Sequence, residues 1–240
     1  MLELKNINYM VDDENGKKEI LKDINLRIDE HFAVITGPNG GGKSTLAKII
    51  SGIYKPTSGE IYFNGEDITD LSITERSKKG ISYAFQQPVR FKGITVSDLV
   101  TLAAGKPLTV SEVCGYLSEV GLCAKNYVNR EVNEKLSGGE LKRIEIAMII
   151  ARNTPLSVFD EPEAGIDLWS FNNLIQVFEK MRQKNDGSLI IISHQERILN
   201  IADRIIVIAD GEVVKEGEKE NILPGILKGS AVCRTLTEKL

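Results

Sequence analysis

Cysteine is scarce in this chain of 240 residues: Cys114, Cys123 and Cys233 are an odd number and form no C-x-x-C pair. That argues against a disulfide framework and a zinc site, and it suits reduced thiols in a reducing compartment. Histidine is scarcer, with two residues. Long apolar runs are missing as well. The longest, Ile146 to Ala151, is far short of the ~20 residues of a membrane-spanning helix. Glu3, Lys5 and Asp12 interrupt the N-terminus before an apolar stretch can form, so no signal peptide is expected, and the chain is expected to be cytoplasmic. Charge of one sign is also lacking. The balance of 30 Lys+Arg against 34 Asp+Glu leaves −4, too little for chain-wide attraction to nucleic acid or to an anionic membrane. Anion binding therefore has to be local, and no nucleic-acid partner is expected. No internal repeat or low-complexity tract is visible.

What is present is ordinary globular material, 42% hydrophobic and 27% charged, long enough to bury a full core. Short apolar strands alternate with longer amphipathic stretches, the pattern of an α/β protein with a mostly parallel sheet. "FAVIT" (32–36), "ISYAF" (81–85), "LSVF" (156–159), "LIII" (189–192) and "RIIVIA" (204–209) read as buried strands. Between them, Phe171, Leu174, Ile175 and Phe178 form a helical core stripe within 170–184. "GEIYFNGEDI" and "IADGEVVKEG" predict antiparallel hairpins turning on Asn64-Gly65 and Asp210-Gly211. From about 88 to 147 no convincing strand occurs. Val110, Val113, Leu117 and Val120 recur there at helical spacing, with Gly121 as a cap. The expected organisation is an α/β core with an antiparallel margin over 1–87 and 148–240, and an inserted helical subdomain over 88–147.

Chemistry enters at "GPNGGGKST": Gly37, Pro38, Asn39, Gly40, Gly41, Gly42, Lys43, Ser44 and Thr45. It satisfies G-x-x-x-x-G-K-[ST] between a predicted strand and a predicted helix, which makes the fold class a P-loop NTPase. The glycines let backbone N–H groups curl around phosphates, Lys43 reaches the β- and γ-phosphates, and the Ser44 hydroxyl is placed for Mg²⁺. "LSVFDE" ends a buried strand in two carboxylates, of which Asp160 would hold Mg²⁺ and Glu161 would polarise the attacking water as general base. His194 in "ISHQ" ends the next strand, where it could contact the γ-phosphate or orient the water. Gln86 in "AFQQP" ends its strand similarly, with an amide able to reach the metal or the water; Gln87 stands beside it.

"KLSGGELKRIEI" (135–146) presents a second anion site. Ser137, Gly138 and Gly139 lead a helix, so unpaired N–H groups and the positive helix end point outward, but no lysine accompanies them. A chain with a complete phosphate loop does not need half of another, so this stretch is expected to serve a second copy, with the γ-phosphate clamped between two chains.

Phosphate loop, strand-end Gln, LSGGE, strand-DE, "AGID" and strand-end His, in this order and at these intervals, resemble an ABC-type ATPase subunit over nearly the whole chain. The resemblance implies Gly37 to Thr45 as Walker A, Gln86 as the Q-loop and Leu136 to Glu140 as the signature, including Ser137, Gly138, Gly139 and Glu140. It implies Asp160 and Glu161 as Walker B, Ala164 to Asp167 as the D-loop, with Asp167 at its end, and His194 as the switch histidine. ATP with Mg²⁺ is the implied ligand, and the implied assembly is a homodimer that sandwiches two ATP molecules. Within the family, "REVNEKLSGGELKRIEI", "YAFQQPVRFKGI", "SHQERILNIADRIIVIADGEVVKEG" and "EAGID" are similar to SufC, the ATPase branch of the SUF iron–sulfur cluster assembly system. That implies a SufB/SufD-type scaffold protein as partner. Pro162 after Glu161 and "GITVSDLV" look instead like transporter ATPases, for which the partner is a membrane permease subunit. The residue that stacks on adenine is left open between Tyr9 and Val11.

Overall fold

The computed structural model describes residues 1–13, 16–133, 135–184 and 187–227, with the backbone alone of Leu168, Trp169 and Lys184. Glu134 within the signature flank and Cys233 lie outside the described residues; Cys114 and Cys123 are free thiols. The chain divides into two compact units, Met1–Thr74 with Ile192–Leu240, and Glu75–Ile191.

The first unit contains two kinds of sheet. Its antiparallel part orders Gly16–Ile28, Leu2–Asp13, Ser58–Phe63 and Glu66–Asp67, the last two joined by the expected turn with Asn64 and Gly65 at positive φ. Side chains of Leu2, Leu4, Ile24, Leu26, Ile28 and Ile61 are buried beneath it. The other part begins with Phe32–Thr36, whose five residues are all buried, as an apolar run without alternation requires. It pairs in parallel with Arg204–Ala209, with Ile35 opposite Ile206. Glu212–Glu218 returns antiparallel through the Asp210-Gly211 turn. The helix Lys43–Ser51 follows Phe32–Thr36 after the glycine loop and buries Leu46, Ala47, Ile49 and Ile50.

In the second unit Ile81–Ala84 pairs in parallel with Leu156–Asp160, Ala84 lying opposite Phe159. Ser188–Ile192 is the next strand beyond Leu156–Asp160. Between 96 and 152 lie the helices Val96–Ala104, Val110–Glu119, the short Ala124–Tyr127, and Gly138–Arg152. The only bridge there among the described residues is Thr95 with Glu131. Thr95, Thr109 and Ser137 each build a capping box with an acid three residues on, which fixes where three of these helices start.

The fold class expected from the sequence is present, an α/β core with parallel pairings and antiparallel margins. Two details differ. Val110 is 65% exposed, because it is the first residue of its helix and the core face begins at Val113. In Leu168–Lys184 the buried face is Phe171, Leu174, Val177 and Phe178, while Ile175 is half-buried. No helix among the described residues is long and apolar enough to cross a membrane.

Candidate nucleotide site

The glycine loop owes its shape to close backbone neighbours. Gly37 has φ 132°, and a Cβ there would lie 2.0 Å from the Ile208 carbonyl oxygen. Only glycine fits that contact. Gly42, at φ 97°, is the N-cap of Lys43–Ser51 and offers no side chain to that end. The first N–H groups of the helix are therefore left for a ligand rather than for a cap. Lys43 is 5% exposed, and its ammonium donates to the carbonyls of Gly37 at 2.9 Å and Pro38 at 2.7 Å. A desolvated ammonium held over a cradle of N–H groups and a helix N-terminus suits a polyphosphate. Pro38, Asn39 and Gly40 are the solvent-facing rim, with Ser44 and Thr45 half-buried at the start of the helix.

The second unit holds the carboxylates. Asp160 ends its strand 1% exposed, with Oδ2 accepting from the Tyr83 hydroxyl at 3.0 Å. Glu161 follows at φ 46°, a left-handed conformation costing a non-glycine residue about 1–3 kcal/mol. Such strain re-aims the chain at the strand end. Glu161 Oε2 there accepts from Gln86 Nε2 at 2.6 Å. Of the two candidate glutamines it is thus Gln86 that meets the catalytic candidate, and its amide holds Glu161. Asp160 supplies an oriented carboxylate, a hard oxygen donor of the kind Mg²⁺ prefers.

Ser137 caps Gly138–Arg152, its hydroxyl accepting from the Glu140 N–H at 3.2 Å while the Ser137 N–H donates to Glu140 Oε2 at 2.6 Å. Gly138 is exposed and Gly139 half-buried, so the helix start faces outward. A Cβ on Gly139 would come 3.3 Å from the Gly165 carbonyl, which brings the signature backbone against the D-loop. In that loop Asp167 accepts from the Ser170 N–H at 3.0 Å and hydroxyl at 2.7 Å, capping Leu168–Lys184. His194 stands exposed just past Ser188–Ile192. Tyr9 stacks on Tyr54, with ring centroids 5.5 Å apart, and Val11 pairs with Lys18 on the neighbouring strand.

Glu140 is engaged within its own chain. The Tyr127 hydroxyl, the Ser137 N–H and hydroxyl, and Arg130 outweigh its partial burial and hold its carboxyl far below the ordinary 4.5, at about 2. An acid strengthened by folding stabilises the fold above the unfolded pKa, and that contribution fades as pH falls from about 4.5 towards 2. Glu140→Gln is therefore expected to be less stable than the natural chain at pH 7, with the gap shrinking by pH 3. Urea denaturation at both pH values measures it; a gap of constant size would refute the ionised cap.

Strand, glycine cradle, buried lysine and open helix start define a P-loop nucleotide-binding protein. A family model described as ABC transporter matches residues 21–164. An uncharacterized ABC transporter ATP-binding protein of Methanocaldococcus jannaschii is 43% identical over 86% of this chain and 86% of its own. The probable ATP-dependent transporter ycf16 of Cyanophora paradoxa is 34% identical over 92% of this chain and 89% of its own. Among solved structures, a dimeric bacterial ABC transporter cassette superposes with TM-score 0.83 at 28% identity, over 91% of this chain and 99% of that one. A post-hydrolysis dimer of an ATP-binding cassette bound to ADP and Pi gives 0.82, with the same identity and coverage. The chain belongs to the ABC transporter family, as one of its ATP-binding, ATP-hydrolysing members.

Proposed function

We propose that the chain is the cytoplasmic ATPase of a SUF iron–sulfur cluster assembly complex, working as a homodimer around two ATP molecules. The residues from Gly37 to Thr45 of one copy bind each triphosphate, and Ser137, Gly138 and Gly139 of the other copy close over the γ-phosphate. Glu140 shapes that second half by capping it. Ser44 and Asp160, with Gln86, hold Mg²⁺, which when bound neutralises phosphate charge. Glu161 takes a proton from the attacking water, Gln86 orients Glu161, and His194 contacts the γ-phosphate or the water. Asp167 keeps the D-loop in register. Hydrolysis releases the two copies, and their separation drives conformational change in a SufB/SufD-type scaffold protein.

The observation that carries this reading is that the flanks that resemble the SUF branch are built into the fold beside Gln86. Val132 is 1% exposed, the Asn133 side chain accepts from the Lys135 N–H at 3.0 Å, and Lys142 is fully buried against the backbone of Phe85 and Gln86. Nearby, Phe85, Val89, Phe91, Leu99, Met148 and Ile149 line an apolar groove of about 150 Å³, with Val89 47% and Phe91 36% exposed. A partner docked there would touch the same loop that holds Glu161. The second reading is the ATP-binding subunit of a membrane ABC transporter. It is favoured by the designation of both quoted relatives as transporter proteins, and by Pro162. Tagged chain purified from its own cells is expected to bring down a SufB- or SufD-type scaffold. Recovery of multi-span membrane proteins alone would replace the first reading with the second.

A further inference from the structure

The helix Gly138–Arg152 carries a lysine that none of the nucleotide-binding roles uses. Lys142 has 0% exposure, in a helix that exposes its first residue, Gly138, and buries Leu141, Ile144, Ile146, Ala147 and Ile149. Burying an ammonium is costly unless it is bonded and paired. Here it donates to the Phe85 carbonyl and, at 3.3 Å, to the Gln86 carbonyl, and it lies 3.6 Å from Glu145 Oε2. Glu145, three residues further along the same helix, accepts from the Phe85 N–H at 2.9 Å with its other oxygen, Oε1. One lysine and one glutamate thus hold both backbone polar groups of a single residue.

That residue sits where support from the sheet ends. The parallel pairing of Ile81–Ala84 with Leu156–Asp160 stops at Ala84 opposite Phe159, and Phe85 is next. Its ring meets Tyr83 edge-on, with centroids 4.9 Å apart, and Tyr83 holds Asp160. After Phe85 comes Gln86, whose amide reaches Glu161 at 2.6 Å. Side chains of the signature helix therefore fix the backbone from which the Glu161-orienting amide projects. Desolvation pulls the Lys142 pKa down and pushes that of Glu145 up, and each partner's charge opposes the other's shift. Apolar residues of similar volume commonly serve stability as well as a buried ion pair does, so stability is a weak reason for keeping one here.

We propose that Lys142 and Glu145 are positioning residues for ATP hydrolysis. They lock the Phe85–Gln86 backbone so that the Gln86 amide meets Glu161, and they tie that register to the helix that begins at Ser137. The proposal rests on the roles given above to Gln86 and Glu161.

The deciding variant is Lys142→Met/Glu145→Leu in the full chain, which replaces the pair with apolar side chains. It is expected to melt close to the natural protein and to bind ATP within about twofold. Its kcat should fall about 10- to 100-fold, as misplacement of a catalytic group demands. Amide hydrogen exchange in the peptide containing Phe85 and Gln86 should quicken. A kcat within about twofold of the natural value would overturn the proposal, and so would equal losses of kcat and ATP affinity. If the double variant does not fold, Glu145→Ala, which frees the Phe85 N–H, is judged by the same split. Glu161→Gln runs alongside: full activity there would remove the roles assumed for Glu161 and Gln86. An inactive Glu161→Gln beside a fully active double variant would overturn this inference alone.

Discussion

Replacing Glu161 with glutamine is expected to leave ATP binding intact and to cut turnover by about 10²- to 10⁴-fold, the usual worth of a positioned general base. Glutamine has the same shape and keeps a carbonyl oxygen for the Gln86 amide, whose bond to Glu161 is 2.6 Å long. The turn at φ 46° that aims the side chain is a backbone property and survives the substitution. What disappears is the capacity to accept a proton from water. Single-turnover hydrolysis and nucleotide titration on the same preparation separate the two effects. Hydrolysis at the natural rate would refute the role of Glu161; loss of binding would show that the carboxylate contributes to nucleotide affinity instead.

The second large effect concerns two inactive chains that become active together. Lys43→Met removes the ammonium from the phosphate loop while keeping most of its buried volume. Gly138→Asp puts a carboxylate where the γ-phosphate is expected. A Cβ on Gly138 meets nothing within 4 Å, and acids are tolerated in the first turn of a helix, so the fold should survive. Each variant alone should be close to inactive, because both composite sites of its homodimer carry a lesion. In a mixed dimer both lesions fall in one site and the other is intact. An equal mixture should therefore recover roughly a quarter of the natural number of sites. Absence of recovery at any mixing ratio, with both variants folded, would mean that the two halves do not meet across chains.

Much of the architecture was legible because its signals are local. "FAVIT" carries no polar residue before its final threonine, so its strand had to be buried on both faces, and all five residues are. Asn64-Gly65 and Asp210-Gly211 announce their turns because both positions need φ above zero. The helix expected to start at Ser137 does start there, secured by a capping box with Glu140. Val110 belongs to the helical repeat yet is exposed, because helical spacing identifies a stripe without showing where the stripe leaves the protein. Val177 was missed for the same reason, since a neighbour packed over one side of a helix shifts the buried arc.

The sequence by itself determined the class of protein: a phosphate loop between strand and helix, a strand ending in two carboxylates, and a second anion site without its lysine. Each is written in residues adjacent along the chain, whose spacing the backbone converts directly into geometry. Only the tertiary structure decided that Gln86 holds Glu161, that Tyr83 holds Asp160, that Tyr127 and Arg130 secure Glu140, and that Lys142 and Glu145 grip Phe85. Gln86 and Glu161 are 75 positions apart, Tyr83 and Asp160 77, and Phe85 and Glu145 60. No periodicity reaches across such distances. A lysine in a helical stretch reads as solvated from its sequence, and only the packing around it, the Phe85 strand end included, makes Lys142 a buried charge that needs a partner.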